Sequence, residues 1–425
     1  MKPTCRLLRR GYGTASAVAL LCGSALSQTA DSSTPTAEVP TLENLRASDP
    51  LNALGLNIYG FVQLDAFGNT ERLDPAWVDV MRPSSIPTSN NAGAYGAGGE
   101  FGMSVRTSQF GAKGQYEAGS HTLKTWFEFD LLETGTKAGE TGLHLRHAWG
   151  EWGRLGAGQT HSTFMDIGMF PNSHQYWGPP GMVFNRNPQI RYTIPFESSS
   201  FAIALEQQNA GLDAGVLVEI DPTLGANVQA KSDAPDLIAR YKQRIDRGYW
   251  QLAGVLRSLA YETKGTPGND PSGKELGWGL SASAGFRTSG RNMLKLQVTT
   301  GAGIASFMND GGSNLAPHDG TGDAVPLTAM SAYYDHYWND TWSTSVGYSF
   351  NDIDSRSGQL DSAFSKGEYA TGNIMHVPNE HISYSFETYW AERTDKNGAT
   401  GDSFRFQVSI KWDFSLGAFA PSFDT

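Results

Sequence analysis

Two groupings of side chains in this 425-residue chain could do chemistry, and the first is nucleophilic: His161 adjoins Ser162, and Asp166 follows four residues later. These are the residue types of a hydrolase triad, in which a nucleophile needs its base within hydrogen-bonding reach and a third group to orient that base. Adjacent residues of an extended chain point apart, so His161 does not serve Ser162, and no Gly-x-Ser-x-Gly elbow occurs. The nine histidines show no His-Glu-x-x-His or comparable ligand spacing. His144 and His147, three apart on an expected strand, should face opposite sides of it. Neither an enzyme nor a cofactor or metal centre is expected.

The second grouping is electrostatic. Arg146, Arg191, Arg240 and Lys242 alternate with apolar neighbours such as Leu145, Ile190, Tyr192 and Tyr241, and Asp65, Glu128 and Asp130 do the same in earlier segments. Between Thr160 and Pro188 lie Asp166, Tyr176, Trp177 and Arg186. Charges ringed around a pore set which ions and solutes pass, with Arg and Lys favouring anions. That chemistry requires elements that hold one face in water and the other in an apolar medium.

Residues 403–414 are such an element. Phe404, Phe406, Val408, Ile410, Trp412 and Phe414 alternate with Ser403, Arg405, Gln407, Ser409, Lys411 and Asp413. Period two is the signature of a strand, here one greasy face and one wet face over about 40 Å. Aromatics at both ends of the apolar face match the girdles of a transmembrane barrel. From Leu56 onward about sixteen segments repeat the pattern, joined alternately by short turns such as Ala118-Gly119 and Arg247-Gly248 and by long stretches rich in Gly, Asp, Asn and Pro. The expected fold is therefore all-β, an antiparallel transmembrane β-barrel of about 16 strands. A barrel of that size holds water rather than a packed core. A charge on the lipid face costs about 2–4 kcal/mol at the midplane, which favours the inward assignment of the charged positions.

The connection from Thr160 to Pro188 lacks strand periodicity but carries Phe164, Phe170, Tyr176, Trp177 and Phe184, with Pro171, Pro179 and Pro180. Ordered loops of this length are usually functional. It is expected to fold into the lumen and narrow it.

The remaining sequence sets the context. Residues 1–27 have a basic start (Lys2, Arg6, Arg9, Arg10), an apolar centre and small residues at Ala25 and Ser27, which reads as a secretory signal peptide. Both cysteines, Cys5 and Cys22, fall within it, so the mature chain offers no thiol for a disulfide or a thiolate metal site. Removing those four basic residues from 32 leaves 28 against 43 acidic ones, and nucleic acid is an unsuitable partner for such a chain. Residues 28–54, rich in Ser, Thr, Pro and Ala, are expected to be a periplasmic linker, 55–414 the barrel, and 415–425 a C-terminal extension. No run of apolar residues is long enough for a membrane-crossing helix, whereas 49 Gly and 48 aromatic residues suit strands that are half greasy. The expected place is the outer membrane of a Gram-negative bacterium, among its lipids and lipopolysaccharide. A non-conducting adhesin or structural barrel is the alternative to a channel, and conductance separates the two.

The blocks Leu145-Arg146-His147-Ala148-Trp149-Gly150-Glu151-Trp152-Gly153, Gly158-Gln159-Thr160-His161-Ser162-Thr163-Phe164-Met165-Asp166 and Asn187-Pro188-Gln189-Ile190-Arg191-Tyr192 resemble the DcaP-type porins. Gly60-Phe61-Val62-Gln63-Leu64-Asp65-Ala66 and Pro235-Asp236-Leu237-Ile238-Ala239-Arg240-Tyr241 add to the likeness. The resemblance implies a homotrimer, passive diffusion, and small anionic solutes such as dicarboxylates or aromatic acids, with Arg146, Arg191 and Arg240 lining the pore. This chain departs from the pattern at Gln63 and Gln109, where the family often carries Lys and Arg, and in continuing eleven residues past Phe414. Either Phe414 or Phe423 could serve as the terminal aromatic of barrel assembly.

Overall fold

The computed structural model of the chain describes residues 55–96, 98–132, 141–208, 228–263, 272–318, 321–417 and 423. The expected signal peptide and linker, 1–54, lie outside the described residues. The strands are β1 (Leu56–Asn69), β2 (Glu100–Ser104 and Gln109–Ala118), β3 (His121–Asp130), β4 (His144–Trp152), β5 (Leu155–His161), β6 (Arg186–Pro195), β7 (Ser199–Glu206) and β8 (Val228–Ser232 and Asp236–Ile245). They continue as β9 (Gly248–Thr263), β10 (Ser272–Arg287), β11 (Met293–Ala302), β12 (Pro326–Tyr337), β13 (Trp342–Ile353), β14 (Phe364–Asn379), β15 (Ile382–Asp395) and β16 (Thr400–Leu416).

Each strand pairs antiparallel with its sequence neighbour, and β1 also pairs with β16, Ile58 opposite Leu416 and Asn69 opposite Arg405. The sheet closes on itself, so it has no open edge. Counting each interrupted strand once, the barrel sheet has sixteen strands among the described residues, as the alternation leads one to expect; a separate hairpin, Leu315–His318 with Thr321–Ala324, lies in the β11–β12 connection. The last strand extends the expected 403–414 by three residues at its start and two at its end.

The period-two pattern sorts as membrane solvation demands. On β16, Phe404, Phe406 and Val408 are half exposed on the outer face, and Ser403, Arg405, Gln407 and Ser409 are sealed on the inner one. Outward Phe110, Phe129 and Phe414 gather on the neighbouring strands β2, β3 and β16, of which β2 and β16 flank β1, with ring centroids 5.5 and 6.3 Å apart.

Parity fails between β3 and β4, as it does at two register shifts between β14 and β15, Phe364/Lys366 and His376/Asn379. Glu128 of β3 is opposite His147, yet Phe129 is opposite Leu145, so Arg146 is an extra residue on β4. Such a bulge flips the alternation beyond it. His144 and His147 therefore both face inward, contrary to the expectation of opposite faces: His144 lies 3.0 Å from Asp130, and His147 lies 3.7 Å from Glu128.

Short turns close one end of the barrel, and most of the long connections lie at the other. The loop between β5 and β6 folds into the lumen, as expected, although it spans 162–185 rather than the full 160–188. Two further long connections also fold inward. Leu73, Met81 and Ile86 of the β1–β2 loop pack on Tyr369, Tyr389 and Ala391, and Phe307 and Met308 of the β11–β12 loop join the largest apolar cluster. A cylinder of this circumference is too wide for wall side chains to fill, and apolar loop residues occupy the space instead.

Candidate functional site

The β5–β6 loop has an apolar foot and a polar tip. Phe164, Met165, Met169, Met182 and Val183 pack with Ile238, Val255, Phe307, Leu327 and Ile353 into one buried cluster. That cluster seals the β8–β13 side of the lumen. Burial of the loop backbone is compensated by wall groups, as it must be. Glu206 accepts from the Thr163 amide (2.7 Å), Gln251 donates to the Met165 carbonyl (3.1 Å), and Lys295 donates to the Phe170 carbonyl (2.5 Å). At Gly181 the chain touches β12 and β13, where an added Cβ would fall 2.2 Å from the Phe350 carbonyl oxygen and 2.6 Å from that of Met330.

The tip then crosses to the opposite wall. Asn172 donates to Asp335 and Ser343 (3.2 and 2.9 Å) and accepts from Asn373 (2.7 Å). Glu387 of β15 accepts from the Ser173 hydroxyl (2.6 Å) and the His174 amide (2.7 Å), and Gln63 of β1 donates to the His174 carbonyl (3.0 Å). Gln63 thus anchors the loop at the position where the resemblance led one to expect a lysine. Trp177 donates to the Asn309 carbonyl (2.7 Å) and meets Trp77 edge to face at 5.0 Å, under the Arg82 guanidinium. Three loops meet there.

His174 is held by Ser385 (2.8 Å) and Ser383 (2.9 Å). Burial lowers its pKa to about 4, against the opposing pull of Glu387 and Asp413 and with Lys411 adding to the depression. An undocked loop would return the imidazole to its ordinary value near 6.5. Docking is then fully favoured above pH ~6.5 and weakens as pH falls toward about 4, because only the undocked imidazole takes up a proton in that window. Amide hydrogen-exchange protection of residues 172–176 is expected to be lower at pH 4.5 than at 7.5. In His174→Gln, which keeps the hydrogen bonds without the titration, the pH step should vanish; its persistence would reject this role.

The wall facing the tip carries the charges expected from parity. Arg146 donates to Glu128 (2.7 Å), Asp130 (3.0 Å) and Tyr176 (2.9 Å). Glu128 also accepts from Tyr59, and Asp130 from Tyr176. Asp166 caps the turn Ile167–Met169 and pairs with Lys242 (3.3 Å) and Ser283 (2.6 Å). Arg191 and Arg240 are buried on the inner face, Arg191 with its guanidinium 4.9 Å over Trp149. Arg186 is the first residue of β6, opposite His161, rather than part of the loop. Its guanidinium lies 4.9 Å over Phe184, and its Nε and Nη2 have no hydrogen-bond partner among the described residues. Asp65 makes no ion pair among the described residues: Gln63 (2.9 Å), Thr107 (3.0 Å) and Ser409 (2.6 Å) donate to it. His161, Ser162 and Asp166 do not converge. His161 faces the ring of His147, Ser162 accepts from the Phe164 amide, and Asp166 faces Ser283 and Lys242.

Sequence reasoning missed Glu387, Glu206 and Lys113, and named Phe184 only as one of the aromatics of the loop. Glu387 was within reach of the alternation rule, since Tyr384 and Phe386 point outward beside it; what it binds was not.

Open space lies on both faces of the loop. On the long-loop side a cavity of about 460 Å³ is lined by Arg82, His144, Tyr176, Trp177, Phe184 and Arg186. A smaller one of about 200 Å³, toward the short turns, is lined by Gln63, Arg146, Phe170, His174, Tyr176, Phe184 and Lys411. Tyr176 and Phe184 border both.

A closed sixteen-stranded wall with an inward loop across its lumen is the architecture of outer-membrane channels. The outer membrane channel DcaP of Acinetobacter baumannii superposes with a TM-score of 0.73 at 19% identity, over 84% of this chain and 97% of that one. OmpF of Salmonella typhi, in a complex with daunomycin, gives 0.52 at 11% identity over 84% and 97% of the two chains. OprB of Pseudomonas putida gives 0.50 at 8% identity over 87% and 96%. The expected likeness to DcaP is borne out at the level of the fold. No protein-family model matches the sequence, and no curated protein matches it.

Proposed function

We propose that the chain is an outer-membrane porin through which small hydrophilic solutes diffuse passively, with a preference for organic anions such as dicarboxylates or aromatic acids. The observation that carries this reading is the pair of cavities on either face of the folded-in loop, both bordered by Tyr176 and Phe184. The narrowest passage is then an eyelet between those two loop residues and the wall residues Arg146 and Arg186. Arg146 is neutralised by Glu128 and Asp130, whereas Arg186 makes no ion pair among the described residues. Arg191, Arg240 and Lys242 continue the basic wall toward the short turns, with Asp166 opposing Lys242.

Residues 1–27 would direct export and 28–54 would lie in the periplasm, with lipid and lipopolysaccharide around the wall. The outward aromatic group of Phe110, Phe129 and Phe414 supports contact between three copies of the barrel. Phe414 sits on the outer face and Phe423 inside, which favours Phe414 as the terminal aromatic of assembly.

The test is reversal potential under a salt gradient in a planar bilayer, for the native chain and Arg186→Ala. Open, anion-selective steps that lose selectivity in the variant support the reading. Cation-selective steps keep the porin and remove the anion preference. A folded barrel that never conducts favours the adhesin or structural alternative.

A further inference from the structure

At the short-turn end, the outer face of β12–β15 carries imidazoles within its aromatic band. Trp342 of β13 lies opposite His376 of β14, which lies opposite Tyr384 of β15. The His376 imidazole stacks on the Trp342 indole, with centroids 4.3 Å and planes 11° apart, and the Tyr384 ring follows at 6.3 Å. Next to them His336 of β12 meets Trp338 edge to face at 4.2 Å. Strand β14 loses register between His376 and Asn379, and a bulge re-aims the side chains beside it. Elsewhere on this rim, outward polar groups are satisfied within the chain: Trp152 donates to the Ala118 carbonyl (3.2 Å) and Tyr241 to Gln243 (2.8 Å). Here the ring nitrogens of His336 and His376, the Trp342 indole N–H and the Tyr384 hydroxyl have no hydrogen-bond partner among the described residues. Asp340, in the turn between Trp338 and Trp342, is exposed and makes no ion pair among the described residues.

We propose that this patch binds the headgroup of a phosphatidylethanolamine lipid: His336, His376 and the Trp342 N–H donate to its phosphate, and Asp340 accepts from its ammonium. The inference rests on the reading of the barrel as membrane-embedded and names the lipid that its short-turn rim selects. Lipid covers the outer face of any barrel in a bilayer, and indole and imidazole rings suit the headgroup level, with an apolar body and a polar edge. A phosphate offers acceptor oxygens alone, which matches a row of N–H donors; a neutral imidazole supplies one donor and an imidazolium two. Anionic headgroups are gathered by lysine and arginine. None of the outward side chains of this patch is either, and Asp340 repels a lipid of net negative charge. A choline headgroup has no N–H to give to Asp340. The primary ammonium of ethanolamine does, so this zwitterion alone of the three satisfies both ends.

The test is native mass spectrometry of the detergent-solubilised full chain, titrated separately with dioleoyl phosphatidylethanolamine, phosphatidylglycerol and phosphatidylcholine. Folding of each variant is checked by heat-modifiable gel migration. The native chain should bind the ethanolamine lipid about tenfold more tightly than the other two, the scale of one or two hydrogen bonds. His336→Phe combined with His376→Phe keeps the aromatic band and should lose that preference. Asp340→Asn should bring phosphatidylglycerol level with the ethanolamine lipid, and Trp152→Phe, on the far side of the rim, should change nothing. Equal binding of the three lipids by the native chain overturns the inference, as does a preference that survives the double histidine variant or falls in Trp152→Phe. Lipid binding is read without conductance. A chain that conducts but shows no lipid preference rejects the headgroup site alone, and one that shows the preference but never conducts rejects the channel alone.

Discussion

An Arg146→Ala channel is expected to prefer cations. Arg146 stands between Glu128 and Asp130 at 2.7 and 3.0 Å, and both carboxylates are almost wholly enclosed. Without the guanidinium, two acids face the narrowest part of the path, and Tyr59, Tyr176 and the two histidines that touch them bring no permanent positive charge. A unit charge at ~4 Å is worth about 1 kcal/mol even in bulk water. Its loss acts with opposite sign on a cation and an anion, so the cation-to-anion permeability ratio should rise roughly tenfold or more. Removing one partner of a buried pair also costs about 3–5 kcal/mol of stability, which should appear as a lower unfolding temperature of the detergent-extracted barrel. Arg146→Ala combined with Glu128→Gln and Asp130→Asn removes all three charges and should reverse the rise in the ratio. An unchanged reversal potential in the single variant would place the selective step elsewhere.

The second large effect concerns pore width. Glu387 gathers Ser173, the His174 amide, Ser385 and Tyr389 on one fully buried carboxylate. Hydrogen bonds to a charged group contribute about 1.5–3 kcal/mol each, and Glu387→Ala removes two that cross from wall to loop. The apolar foot around Phe164 and Phe307 should stay in place while the tip at 172–176 leaves the wall. Unitary conductance should rise about twofold or more, with added open-channel noise, because the tip narrows an aqueous lumen wide enough to conduct without it. Glu387→Gln keeps acceptor oxygen and should give an intermediate value. A conductance equal to that of the native chain would mean that Asn172 and Gln63 hold the tip unaided.

What each strand reveals in sequence is local, and that is why the wall was legible. On β16 the choice at every second residue between Phe, Val, Ile or Trp and Ser, Arg, Gln or Lys follows from the medium each side chain meets, lipid or water. The same rule placed Arg191, Arg240, Asp65 and Glu128 on the inner face, and repetition of the pattern gave sixteen strands and a wet lumen. The aromatic content of the β5–β6 loop pointed inward for a related reason, since Phe164 and Trp177 need something to pack against.

Pairings between distant residues were decided only by the tertiary structure. Parity propagates an error as soon as one strand gains a residue relative to its neighbour, so the bulge at Arg146 and the inward turn of His147 are visible only in the register of β4 against β3. Glu387 and Ser173 are separated by 214 positions, and nothing local to either names the other. The loops that carry Met81 and Phe307 look polar and glycine-rich in sequence, yet closure of so wide a cylinder leaves a volume that apolar side chains enter. Phe423 reads as the end of a tail until Gly417 turns the chain and the indole of Trp126 receives its ring. Solvation of each face is written residue by residue, whereas the position of charges and rings along the path depends on which strands closure brings together.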